Sequence, residues 1–247
     1  MVYPICHTAC GDAASCTVAG KGDKTVENIG YIVFICFALP FMLGIPIVRG
    51  RTRLVLLFIF IGMCCCLFIS EVNGLICYII GEDLYYVTTN ITPLTEESIK
   101  ALPILLYALF VSSERRTLLT VAFMTGLGFA LMENSTILFE TLVSQGSVDI
   151  VWALIRTLGA GLLHSLCTTS VGVGISFVSD HTKFFVCGTF ALLSQAIVYH
   201  SVYNSLIQSD YKYFGAAMPM VTYIAAVIVL FLAFNKRGKK KGNRSCK

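Results

Sequence analysis

Thr95-Glu96-Glu97-Ser98-Ile99-Lys100 opens an apolar run that continues to Val111. Two adjacent carboxylates and a lysine are an expensive way to begin a membrane helix. An ionisable side chain inside a bilayer costs several kcal/mol and marks a functional site by default. Working outward, three later apolar stretches each add one more group of this kind: Glu133, His164 and His200. The pattern reads as a box of helices that holds these groups together.

Composition agrees. The chain has 247 residues, 56% hydrophobic and only 13% charged, with a mean hydropathy of +0.79. Soluble domains carry roughly a quarter of charged residues, so this is a multi-span membrane protein. Inside a bilayer the backbone must satisfy itself, which leaves helices or closed barrels. The alternating short segments of a barrel are not seen, so the expected fold is an all-α polytopic helical bundle. No internal polar stretch is long enough for a separate soluble domain. The chain divides into a polar extracytoplasmic segment over 1–28, a bundle over 29–234 and a basic cytoplasmic tail over 235–247. Seven of the 18 Lys and Arg lie in that tail. A basic run beside a membrane helix sits against anionic lipid, so it signals topology and not nucleic-acid binding.

Seven spans are expected, at about 29–48, 54–80, 93–111, 117–143, 150–177, 184–207 and 214–234. Arg49, Arg51 and Arg53 follow the first, Arg115 and Arg116 follow the third, and the basic tail follows the seventh. The positive-inside rule puts all three on the cytoplasmic side and the N-terminus outside. Residues 81–95 read as a connecting loop, and Glu71 and Asn73 as an interfacial polar turn. Of the 11 cysteines, Cys36, Cys64, Cys65, Cys66, Cys77, Cys167 and Cys187 lie in apolar runs, where Cys behaves as a small hydrophobe. Cys6, Cys10 and Cys16 sit in the N-terminal segment, where one pair could form a disulfide and leave an odd thiol.

Depth follows from this topology. Glu96 and Glu97 begin the third span at the outer face. Glu133 lies sixteen residues after Thr117 and His200 sixteen after Phe184, in each case about 24 Å up a helix from the inner face. These four groups reach the outer third of the bilayer, whereas His164 counts as nearer the middle. Lys100 can pair with Glu96 or Glu97 at helical spacing, and His200 and Asn204 share a helix face. A carboxylate here can take a proton from water. An imidazole can donate or accept a proton or ligate a metal, and the Asn204 amide can donate to an oxyanion. Each group has a plainer reading. A lone intramembrane histidine is as often an interhelical hydrogen bonder, Arg156 reads as a structural pair, and Glu82 and Glu140 read as interfacial. Convergence of the Glu pair, Glu133 and His200 at one depth favours a site.

These residues also resemble a known family. Glu96-Glu97-Ser98-Ile99-Lys100 matches the EExxK pattern of PrsW-type intramembrane proteases, and Phe129-Ala130-Leu131-Met132-Glu133 matches their FxxxE. Arg156, His164 and Gly172 look like their third motif, and His200-Ser201-Val202-Tyr203-Asn204 matches HxxxN. The family is similar to the type II CAAX prenyl endopeptidases. The resemblance implies an intramembrane endopeptidase that cuts a membrane protein near the outer face of the cell membrane, with a single-span anti-sigma factor as an associated substrate. It implies that Glu96 or Glu97 activates water, that Glu133, His164 and His200 complete the site, and that Asn204 supports the oxyanion. Whether a divalent metal such as zinc takes part stays open; Glu133, His164 and His200 are the residues expected to hold one. The alternative is a non-hydrolytic proton-coupled transporter or a scaffold derived from the family, since carboxylates and histidines in a bundle also make proton relays.

Overall fold

The apolar runs fold as seven long helices. They are α1 (Ile29–Gly44), α2 (Gly50–Ile80), α3 (Thr92–Phe110), α4 (Arg115–Gln145), α5 (Ile150–Asp180), α6 (Phe185–Ile207) and α7 (Lys212–Gly242). The computed structural model describes residues 29–80, 84–180 and 185–242, and no strand occurs among them. The expectations for Cys6, Cys10, Cys16 and Glu82 lie outside the described residues. Helices α2, α4, α5 and α7 are long and apolar enough to cross a membrane, while α1 is apolar but has only 16 residues. A helix of 31 residues, such as α2 or α4, is about 46 Å long. That exceeds a hydrocarbon core of about 30 Å, so such helices tilt or protrude.

Several boundaries differ from expectation, the start of α2 at Gly50 instead of 54 among them. Helix α1 stops at Gly44, not 48, because a residue before proline is pushed out of the helical region and Pro46 follows closely. Helix α7 runs through Phe234 to Gly242, so the basic tail begins as a continuation of the last helix. Within the expected loop over 81–95, the described residues 84–95 are helical. A turn at Leu84–Tyr86 and a π-helical turn at Val87–Ile91 lead into α3 without a break. Pro93 explains the widened turn. The Thr92 N–H reaches back to Val87 O, five residues away, and the next donor in that register would be residue 93, where proline has no N–H.

Helix α5 lies at the centre, against α3, α4, α6 and α7, and α3 is enclosed by α2, α4, α5 and α6. Lipid is as apolar as leucine, so helices in a membrane are joined by close packing and not by hydrophobic drive. Small residues supply that closeness on both sides of α4. A Cβ on Gly62 of α2 would run into Thr125 O, and one on Gly128 would run into Ile59 O. A Cβ on Gly126 would collide with His164 O on α5. Ile104, Leu118 and Leu163 fill the layer between α3, α4 and α5. Meanwhile Leu43, Phe110, Ile150 and Phe190 point outward. Helix α3 turns its charges inward: Glu96, Glu97 and Lys100 are buried, and Leu94, Leu102, Leu106 and Leu109 are exposed.

Candidate active site

The start of α3 is fixed from two sides. On one side, Thr95 Oγ1 lies 2.6 Å from Asn73 Oδ1 of α2. Asn73 is fully buried, so it is an internal staple and not the interfacial turn expected. Its neighbour Glu71 does lie outside, accepting a bond from Tyr31. On the other side, Asn204 Nδ2 of α6 donates to Thr88 O at 2.9 Å. That carbonyl is the one the missing Pro93 N–H would have reached in the π-turn register. One of the two Asn204 amide protons is therefore given to the backbone.

With α3 fixed, five buried groups from three helices meet. Lys100 Nζ donates to Glu97 Oε1 at 2.7 Å and to His164 Nδ1 at 2.9 Å, and lies 3.8 Å from Glu96 Oε2. An ammonium only donates, so His164 Nδ1 is the acceptor and the ring proton sits on Nε2. From there it bonds Glu133 Oε2 of α4 at 2.9 Å. His200 Nδ1 donates to Glu97 Oε1 at 2.8 Å. That turns His200 Nε2 toward Glu96 Oε2, 3.9 Å away; His164 Nδ1 is also 3.9 Å from that oxygen. The two imidazole rings meet edge to face at 4.9 Å. Phe129 closes the floor, 4.8 Å from the His164 ring and 4.3 Å from the ammonium. The side chains of Glu96, Glu97, Lys100, His164 and His200 are at most 2% exposed, whereas that of Glu133 is 13% exposed.

Buried charges persist only when paired, and the pairing here is incomplete. Glu96 Oε2 and Glu97 Oε2 are buried with no hydrogen-bond partner among the described residues. One donor atom from each of Glu96, Glu97, His164 and His200 falls within 4.8 Å of the others. Two imidazoles with carboxylates form a set that suits zinc. Two bonds of about 2.1 Å at a tetrahedral angle span about 3.4 Å, so the 3.9 Å separations need to close by about half an ångström around an ion. Each histidine also donates its other ring nitrogen to a carboxylate, as metal-binding histidines do. The residues present fit a divalent metal.

Of Glu133, His164 and His200, the residues expected to hold a metal, the two histidines fall in the four-residue group with Glu96 and Glu97, and Glu133 bonds His164 Nε2 at 2.9 Å from outside it. His164 belongs to the cluster and is not a level deeper. In antiparallel α4 and α5, Gly126 touches His164, so Glu133 starts two turns away along the helices. Side chains lean toward their own N-termini, which brings Glu133 and His164 toward each other and closes the gap. Arg156 is partly buried, with Nε unpartnered. Lys100 and Phe129 were not among the expected site residues. The signal for Lys100 was its spacing from both glutamates, and Phe129 carried none beyond its place in FxxxE. A cavity of about 50 Å³, lined by Ser70, Met132, Glu133, Thr136 and Glu140 among others, reaches the exposed edge of Glu133.

No curated protein and no solved structure matches the chain. A family model described as PrsW family intramembrane metalloprotease matches residues 50–234, which hold every residue of the cluster.

Proposed function

The chain belongs to the PrsW family of intramembrane metalloproteases, and on that premise we propose that it hydrolyses a membrane protein's peptide bond at the Glu96–His164–His200 cluster. The observation that carries this is the convergence of two histidines and two carboxylates from three helices within 4.8 Å, walled off from lipid. Glu96 Oε2, His164 Nδ1 and His200 Nε2 would hold a divalent metal such as zinc. That ion, when bound, supplies a water of lowered pKa and a Lewis acid beside the scissile carbonyl.

The protein's own groups do the rest. Glu97 Oε1 is tied to Lys100 and His200, and its free Oε2 takes the proton of the attacking water. The hydroxyl adds to the carbonyl carbon, the C–N bond breaks, and Glu97 returns the proton to the leaving amine. Glu133 fixes the His164 ring, and Asn204 acts as a positioning residue through Thr88 instead of as an oxyanion donor. The basic loops after α1 and α3 support a cytoplasmic inner side and cleavage near the outer face. Water reaches the Glu133 edge of the cluster along the cavity beside Glu133 and Glu140. A single-span protein such as an anti-sigma factor is the proposed substrate class.

The test is a reconstituted cleavage assay on a single-span reporter, run with elemental analysis. Glu97→Gln should lower cleavage roughly a hundredfold or more, as loss of a general base does, while keeping the metal. Glu96→Gln should lose both. Undiminished cleavage by Glu97→Gln would remove the proposed mechanism.

A further inference from the structure

Lys100 stands where a metal would have to come. His164 has two ring nitrogens with one role each. Nε2 carries the proton given to Glu133, so Nδ1 offers the ring's only lone pair, and that lone pair accepts from the Lys100 ammonium at 2.9 Å. A metal bound through Nδ1 needs the same lone pair, and an imidazole nitrogen has one to give. The ammonium also lies 3.8 Å from the unpartnered Glu96 Oε2 and is bonded to Glu97 at 2.7 Å. It is fully buried and packed over the Phe129 ring. A flexible four-carbon stem lets the ammonium release Nδ1 and keep Glu97, without leaving the core.

We propose that Lys100 is the resident cation of this site, and that its ammonium and a divalent metal compete for the His164 Nδ1 lone pair. The inference rests on the metal-binding role proposed above. The lysine then holds two glutamates and two histidines together in the metal-free protein, and loading the site means displacing it by a short swing.

The test uses the full-length protein in detergent, stripped with a chelator. Zn²⁺ affinity is measured in competition with a chromophoric chelator, and thermal unfolding is followed with and without Zn²⁺. Removing a unit positive charge a few ångströms from the metal should tighten binding, so Lys100→Met should bind Zn²⁺ roughly tenfold or more tightly than the natural protein. Its metal-free form should unfold at a lower temperature and recover when Zn²⁺ is added. If Lys100→Met does not accumulate, Lys100→Gln removes the charge, keeps a polar end group, and should shift affinity the same way. Equal or weaker binding in the variant overturns the competition and leaves the metal site standing. Absence of Zn²⁺ binding in the natural protein and the variants overturns the metal site and the competition with it.

Discussion

Glu96 and Glu97 share one turn of α3 yet keep different company. Glu97 is bonded to Lys100 and His200, whereas Glu96 faces both histidines at 3.9 Å with one oxygen unpartnered. Sequence alone could pair them as two carboxylates but not divide their roles, because the division comes from α5 and α6. Glu133 shows the same limit. Its place behind His164 depends on how two side chains lean. A carboxylate on the far side of a ligating histidine tunes the metal without touching it, and its removal typically weakens binding about ten- to a hundredfold. Glu133→Gln should therefore lower Zn²⁺ affinity by about that factor and leave binding measurable, whereas His200→Ala should abolish it. Equal losses in a chelator competition assay would place Glu133 among the ligands.

At the level of the helix, the entry to α3 decides where the glutamates point. Pro93 removes a backbone donor, the π-turn widens, and Asn204 from α6 supplies the missing bond to Thr88. Asn204→Ala should cost about 1 kcal/mol, the net worth of the lost hydrogen bond to Thr88 O. Pro93→Ala restores an N–H near the same carbonyl, so the double variant should lose clearly less than the two single changes summed. Unfolding midpoints of the four proteins measure this, and strict additivity would break the link between residues 93 and 204. Helix existence was legible because long apolar runs between short polar turns leave few choices. The π-turn was not, since residues 81–95 carry polar side chains that read as a loop. The helical state of 87–91 comes from packing against α3 and α6. A glycine in a membrane helix permits close approach, but that Gly126 meets the His164 backbone is set by the fold.

Across the whole molecule, α5 gathers α3, α4, α6 and α7 around one polar centre in an otherwise apolar body. The ordered motifs on four helices made that centre readable, since each buried charge had to find another. Seven crossings with the N-terminus outside are what we propose from where the arginines and lysines lie. With seven crossings, an N-terminal epitope tag should be removed by protease added outside intact cells, and a C-terminal tag should be protected. The reverse pattern would put the site on the cytoplasmic side. The chemistry itself is tested most directly by elemental analysis of the purified protein coupled to a chelator-treated cleavage assay. About one divalent metal per chain is expected for a site of two histidines and a glutamate, with cleavage lost on chelation and regained on adding the metal back. Full-rate cleavage by protein stripped of metal would contradict a metal held by Glu96, His164 and His200.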